Sequence, residues 1–232
     1  MAGRSAREPS QHPETVTPRP LYIFGTGGFS RETYWLIHDI NAREQRFNVE
    51  GFIDLDATRP HLILDRRKVP VLVEEEVMPR LDTDAQLVIG IGDPRVISGI
   101  ADRHAGRFEF ANLVHPTVNG YFNTITLGQG NIITAGCIFT LDITVGSFNI
   151  FNLHTTVGHD AVIGSCNVIN PGVNISGGVR LGDRNLIGTN AAILQDILIG
   201  NDNMIGASAM VNRPIGDRTV SVGVPAKAIK ER

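Results

Sequence analysis

The chain has 232 residues, of which 42% are hydrophobic, and carries a formal net charge of −3 with a pI near 6.2. This length allows one large domain or two small ones, each with a core of its own. The charge provides no basic field for nucleic acid, and no run of lysine and arginine marks a membrane surface.

No apolar run reaches the length of a membrane span, and the N-terminus lacks the apolar stretch of a signal peptide. We therefore predict a cytoplasmic protein without a membrane partner. Cys137 and Cys166 are the only cysteines, too few for a disulfide framework or a four-thiolate metal site. Both are expected to be reduced thiols.

The first part of the chain divides into two segments. Residues 1–19 contain almost no large apolar side chains and predict a disordered tail. Residues 20–112 alternate short apolar runs with amphipathic stretches, as in LYIF, FSRETYWLIHDIN, VEGFID and LVIGIG. Strands that alternate with helices predict a small Rossmann-like α/β domain with a parallel sheet.

The segment LYIFGTGGFSRETYW predicts a strand, a glycine turn and a helix. Gly25, Gly27 and Gly28 would let the backbone approach a phosphate at the helix N-terminus. A tight turn between strand and helix explains the same glycines equally well. The full GxGxxG spacing is missing, which disfavours a nicotinamide cofactor.

A six-residue repeat dominates residues 113–232. Glycine and asparagine each also recur every eighteen residues, so three hexapeptides make one turn of a triangular parallel coil with about five turns. We expect the asparagines to stack inside and the glycines to occupy bends with positive φ. The apolar positions are Leu127, Ile133, Phe139, Val145, Phe151, Val157, Ile163, Ile169, Ile175, Leu181, Ile187, Ile193, Ile199, Ile205 and Val211.

This repeat, preceded by a domain that opens with GTGG and followed by GVPAK, resembles the left-handed parallel β-helix acyltransferases. Within them the chain is most similar to the sialic-acid and bacillosamine-type nucleotide-sugar acetyltransferases. The resemblance implies a left-handed coil and N-acetylation of a nucleotide-linked amino sugar in bacterial surface glycan biosynthesis. It also implies acetyl-CoA as co-substrate and a homotrimer.

The segment TTVGHDAVIG places a histidine and an aspartate side by side in the repeat. His159 follows the inward Val157 by two residues and should point outward, and Gly177 lies eighteen residues later in the same column. The resemblance assigns His159 as the general base, Asp160 as the residue that orients its ring, and the Gly177 amide as the oxyanion donor. Without the resemblance, a solvated turn explains the pair. His154 has no acidic neighbour in its column, and we interpret it as pocket lining or structural.

The resemblance also identifies cofactor contacts. Thr189 and Ala207 match positions that touch the pantetheine arm, and the VPAK segment with Lys227 matches one that approaches the nucleotide end of acetyl-CoA. Gly177 contributes to the same site. Val168 stands where some relatives have a second histidine.

In the N-terminal domain, the resemblance implies that the glycine turn binds the diphosphate of the sugar nucleotide. The segment VEGFIDLD matches the acidic stretch that meets nucleobase and ribose, and Leu55 separates its two aspartates. At the turn, Phe29 stands where many relatives have histidine. The predicted substrate-binding residues are Gly25, Gly27, Gly28, Phe29, Asp54 and Leu55.

Three alternatives stay open. O-acetylation of a sugar hydroxyl or another small acceptor needs the same machinery. A zinc carbonic anhydrase would use His154 and His159, but the region upstream offers no third histidine in register, and we predict no metal. A non-catalytic scaffold would not need His159, Asp160 and Gly177 together.

Overall fold

The computed structural model describes residues 18–56 and 58–232. The predicted disordered tail therefore lies, up to residue 17, outside the described residues. The first strand begins at Arg19. None of the helices in the described ranges is long and apolar enough to cross a bilayer.

The N-terminal domain is an α/β unit around one six-stranded sheet with the order β3-β4-β2-β1-β5-β6. All neighbouring strands are parallel except β3 and β4, which form an antiparallel hairpin. Central strands β1 and β5 are continuous apolar runs because helices or loops cover both faces of a parallel sheet. The elements are β1 (Arg19–Phe24), α1 (Gly28–Arg43), β2 (Phe47–Asp54), β3 (His61–Leu64), β4 (Arg67–Val73), α2 (Glu74–Val77), β5 (Gln86–Ile89), α3 (Pro94–His104) and β6 (Glu109–Phe110).

The rest of the chain coils into a triangular prism of short parallel strands. A 3-10 helix, Phe122–Thr124, interrupts the first turn, and the last two strands pair antiparallel. The strands are β7 (Leu113–Val114), β8 (Asn119–Gly120), β9 (Thr126–Leu127), β10 (Ile132–Ile133), β11 (Ile138–Phe139), β12 (Thr144–Val145), β13 (Ile150–Phe151), β14 (Thr156–Val157), β15 (Val162–Ile163), β16 (Val168–Ile169), β17 (Asn174–Ile175), β18 (Arg180–Leu181), β19 (Leu186–Ile187), β20 (Ala192–Ile193), β21 (Leu198–Ile199), β22 (Met204–Ile205), β23 (Met210–Val211), β24 (Thr219–Val222) and β25 (Lys227–Glu231).

Each third strand pairs with the one a full turn away, which gives the prism three faces. Face 1 contains β7, β10, β13, β16, β19, β22, β24 and β25. Face 2 contains β8, β11, β14, β17, β20 and β23, and face 3 contains β9, β12, β15, β18 and β21. The six-step apolar residues fill the interior as predicted, since all except the partly buried Leu127 are at most 3% exposed. The fold class is thus confirmed.

The predicted role of the period-eighteen glycines is wrong. Positive φ occurs at every sixth residue from Gly130 to Ser208, mostly at polar residues, and at none of these glycines. A Cβ on Gly146 would instead lie 2.7 Å from the carbonyl oxygen of Gly164 in the next turn. Glycine is therefore required there by the close approach of consecutive turns, not by backbone conformation.

The predicted asparagine column is confirmed. Asn131, Asn149, Asn167 and Asn185 are fully buried, and the amides of the last three each donate to the side-chain oxygen of the preceding asparagine. These bonds are 2.9 to 3.1 Å long. Burial of a polar side chain is tolerated here because each turn supplies the partner for the next.

The two parts of the chain share one hydrophobic core along face 1. Ile132, Ile150 and Val168 are at most 2% exposed and belong to the same cluster as the N-terminal strands. Phe148, at the corner between faces 3 and 1, packs edge-to-face on Phe110 at 5.1 Å between ring centroids. Outward residues of faces 2 and 3 are exposed or partly exposed.

Candidate active site

His159 lies at the corner between faces 2 and 3, directly after β14. Its ring Nδ1 is 2.7 Å from the Oδ2 of Asp160. The two side chains are 54% and 66% exposed, so both are open to solvent in the described chain. A proton on Nδ1 donates to the carboxylate, which leaves Nε2 free to accept a proton from a ligand.

The corner geometry explains why the two side chains meet. Asp160 has a φ of 60°, in the left-handed region that recurs at every sixth residue from Gly130 to Ser208. Aspartate tolerates this conformation better than most residues. The corner therefore fixes the backbone that carries the His159–Asp160 pair.

Gly177 lies one turn further along the same corner, beneath the imidazole. A Cβ at this position would be 2.7 Å from both Cε1 and Nε2 of His159, so only glycine leaves the ring in place. Within the described residues, the Gly177 N–H has no hydrogen-bond acceptor. The structure thus brings His159, Asp160 and Gly177 together, with an imidazole beside an available backbone donor.

His154 lies at a different corner, between faces 1 and 2. Its ring occupies the space above Gly136, and its side chain makes no hydrogen bond in the described part of the chain. His154 and His159 are therefore separated by the width of face 2. No group of three metal-binding side chains occurs among the described residues.

The predicted cofactor contacts lie apart from His159 within one chain. Thr189 and Ala207 are stacked and exposed at the corner between faces 1 and 2, and the Ser208 N–H donates to the Thr189 carbonyl at 2.8 Å. Lys227 is an exposed residue of β25 on face 1. A single chain does not join these residues to the His159 corner.

The cysteines lack the properties of nucleophiles. Burial raises the pKa of the Cys166 thiol to about 11. Burial also raises the pKa of the Cys137 thiol, which points into the prism and is fully buried. A thiol with a raised pKa contains little thiolate near neutral pH, and only the thiolate attacks.

The three glycines of the N-terminal turn differ in whether the surrounding protein requires glycine. Gly25 has a φ of 95°, and a Cβ there would lie 2.7 Å from the Ile91 side chain. Gly27 caps α1 and Gly28 is its first residue, yet a Cβ on either would meet nothing within 4 Å. Packing within the protein therefore does not require glycine at positions 27 and 28. The absence of side chains there leaves open space beside the N-terminus of α1.

Two clefts flank this turn. One, of about 490 Å³, is lined by Thr26, Gly27, Arg31 and Arg59, among others. Neither arginine is among the substrate-binding residues predicted from the sequence. Arg31 could have been found as a basic residue in the first turn of a helix that follows a glycine turn. Arg59 could not, because it reaches the cleft through the β2–β3 loop.

The second cleft, of about 440 Å³, is lined by Gly25, Asp54, Leu55 and Arg95, among others. Asp54 ends β2, accepts a hydrogen bond from Thr26 Oγ1, and accepts another from the Leu55 N–H at 2.8 Å. Leu55 is exposed, whereas Phe29 packs against the core. The predicted substrate-binding residues thus meet at one edge of the sheet, except that Phe29 is turned inward.

Comparison with known proteins follows the two parts of the chain. Residues 20–103 match the family model of the PglD N-terminal domain. No curated protein has a sequence that matches this chain significantly. A variant of perosamine N-acetyltransferase from Caulobacter crescentus, solved in complex with CoA and GDP-perosamine, is 27% identical with a TM-score of 0.81 over 91% of this chain and 97% of that one.

Two further structures share the fold. The acetyltransferase domain of PglB from Neisseria gonorrhoeae, in complex with acetyl coenzyme A, is 24% identical, with a TM-score of 0.80 over 92% of this chain and 100% of that one. WeeI from Acinetobacter baumannii is 22% identical, with a TM-score of 0.77 over 90% and 99%.

The fold, the exposed histidine corner and these likenesses define the chain as an acyltransferase of the left-handed β-helix class. Its N-terminal part is a PglD-type domain that carries the glycine turn. The predicted class is thereby confirmed.

Proposed function

We propose that the protein is an acetyl-CoA-dependent N-acetyltransferase that acts on the amino group of a nucleotide-linked amino sugar, in the biosynthesis of a bacterial surface glycan. Acetyl-CoA is the co-substrate. The observation that carries the proposal is the His159 ring, hydrogen-bonded to Asp160 and lying over Gly177, whose N–H is unpaired in the described chain.

The reaction uses each of these groups once. The amine nitrogen attacks the thioester carbonyl carbon while His159 Nε2 takes a proton from that nitrogen. Asp160 holds the Nδ1–H and stabilises the imidazolium that forms. The Gly177 N–H donates to the oxygen that gains negative charge, and the CoA thiolate then leaves and receives the proton from His159.

The N-terminal clefts would hold the sugar nucleotide. The diphosphate would lie at the N-terminus of α1, where Gly27 and Gly28 leave space and Arg31 and Arg59 add positive charge. Asp54 and Leu55 line the neighbouring cleft, where the nucleoside would bind. Uridine diphosphate is our first expectation, and guanosine diphosphate is the nucleotide of GDP-perosamine, which the Caulobacter relative binds.

We further propose that the protein is cytoplasmic. A homotrimer would complete the site. In one chain His159 is more than half exposed, while Thr189 and Ala207 lie at another corner. Faces 2 and 3 expose apolar side chains such as Ile138 and Leu198, which an adjacent subunit would cover. Sedimentation that shows only monomer at micromolar concentration would contradict this.

The test measures thiol release from acetyl-CoA with uridine-, guanosine- and thymidine-diphosphate amino sugars. A melting-temperature screen with the same nucleotides identifies the one that binds, because a ligand of the native state raises stability. Gly28→Val should abolish the nucleotide shift and keep the acetyl-CoA shift. Gly106→Val, at a glycine with equally open surroundings, should keep both. Failure of every amino sugar to release thiol would refute the function.

A further inference from the structure

The bare backbone at Gly177 and Gly178 separates two functional side chains at the histidine corner. His159 leans over Gly177 from the preceding turn of the prism. The carboxylate of Asp196 comes from the following turn and occupies the space that a side chain at Gly178 would need. Consecutive α-carbons are about 3.8 Å apart, so the two side chains approach neighbouring residues of one bare turn, the imidazole from the preceding turn and the carboxylate from the following one.

The backbone of Asp196 is held in position, but its carboxylate makes no hydrogen bond or ion pair within the described residues. Its backbone N–H donates to the Gly177 carbonyl at 3.0 Å, and its φ of 59° is fixed by the corner. Among the described residues, its carboxylate has no hydrogen-bond or ion-pair partner, whereas Asp160 is bonded to His159. The two carboxylates of this corner therefore differ in what they can bind.

We propose that Asp196 binds the ammonium form of the substrate amino group and places its nitrogen opposite His159. This inference rests on the proposed function and adds a substrate-binding residue to it. A carboxylate and an ammonium group form a charge-assisted hydrogen bond, which is stronger than the bond to a neutral hydroxyl. Asp196 would thus favour an amine over a hydroxyl as the acceptor.

The protons balance in two steps. The bound ammonium group loses one proton to solvent and becomes a neutral amine. The amine then forms the C–N bond to the acetyl carbon while His159 takes the second proton. That proton passes to the departing CoA sulfur, and Asp196 is unchanged at the end.

The experiment compares the amino sugar nucleotide with its hydroxyl analogue in Asp196→Asn. Asparagine keeps the size and tolerates the left-handed conformation, so the corner should be retained. We expect the KM of the amine to rise about tenfold or more while the inhibition constant of the hydroxyl analogue changes less than about twofold. Above the pKa of the sugar amine, the wild-type KM should rise and that of the variant should not, because only the ammonium form pairs with the carboxylate.

Asp142→Asn is the matched control, since Asp142 has the same conformation at the same corner, one turn before Asp160. It should leave both constants unchanged. If Asp196→Asn weakens amine and hydroxyl analogue equally, or changes neither, the inference is wrong while the function stands. If the wild type transfers acetyl to no amino sugar, both fail.

Discussion

Two corners of the prism border face 3, and they differ in how their backbone N–H groups are bonded. At the corner between faces 3 and 1, five successive N–H groups each donate to a side chain of the next turn. The acceptors are Ser147, Ser165, Asp183, Asn201 and Asp217. At the histidine corner, the equivalent N–H groups of Leu141, His159, Gly177 and Gln195 have no acceptor within the described residues.

The difference follows from what lies outside each corner. The capped corner faces α3, and Ser147, Ser165 and Asp183 line the narrow space beside Ser98. A backbone donor shielded from water there needs a partner from the protein. The histidine corner is exposed, so its donors are available to a ligand. Available backbone donors thus distinguish the histidine corner from the corner beneath α3. At the corner between faces 1 and 2, the N–H groups of Ala135, Thr189 and Ala207 also have no acceptor within the described residues.

The largest expected effect is the loss of activity when the side chains of the histidine corner are removed. His159→Ala should lower kcat by about a hundred- to ten-thousandfold, the usual cost of losing a general base, with acetyl-CoA affinity nearly unchanged. Asp160→Asn should lose less, because it orients the ring and does not take the proton. His154→Ala should lose least, since its ring lies at another corner. All three are measured at saturating acetyl-CoA on one substrate.

The contradicting result is specific. A dead His154→Ala enzyme beside an active His159→Ala enzyme would move the active site to the corner between faces 1 and 2. Loss of acetyl-CoA binding in His159→Ala, measured by calorimetry, would instead show a role in cofactor binding.

The second effect tests whether a bare backbone matters at this corner. In Gly177→Ala the new methyl group would lie 2.7 Å from His159 Nε2 and must push the ring away. A displaced catalytic group costs roughly a hundredfold, so kcat should fall by about ten- to a hundredfold. Gly216→Ala, where a Cβ meets nothing within 4 Å, is the control. Equal activity of both variants would exclude Gly177 from the site.

The third effect tests the capped corner and should appear in stability alone. Ser165→Ala removes the acceptor of the Ser147 N–H, 3.1 Å away, and should lower the free energy of unfolding by about 1 kcal/mol. Gln195→Ala at the histidine corner removes no cap and should change it by less than about 0.5 kcal/mol. Urea unfolding measures both. Unchanged stability in Ser165→Ala would mean that these caps contribute nothing.

Much of the prism could be predicted from the repeat in the sequence. What could not be predicted has physical reasons. Period six placed the interior residues and period eighteen placed the asparagine column, because both depend on inward side chains at fixed spacing. The left-handed bends were misassigned because polar residues such as Asp160 and Asn190 also tolerate positive φ. Arg59 reaches its cleft through a loop that no local pattern records. Asp196 lies two eighteen-residue steps after Asp160, so the period places it at the same corner, but nothing in the repeat indicates that its carboxylate has no partner.

The smallest expected effect concerns the cysteine at the capped corner. Burial against α3 raises the pKa of Cys166 to about 11, so at pH 8 only about one thiol in a thousand is ionised. Alkylation of the native protein should therefore be slow at pH 8 and accelerate as pH rises toward 11, whereas urea-unfolded protein should react at once. Cys166→Ala should keep activity within about twofold, because acetyl passes directly to the amine. Trapping a stable acetylated cysteine during turnover would show an acyl-enzyme and make the direct transfer at the histidine corner untenable.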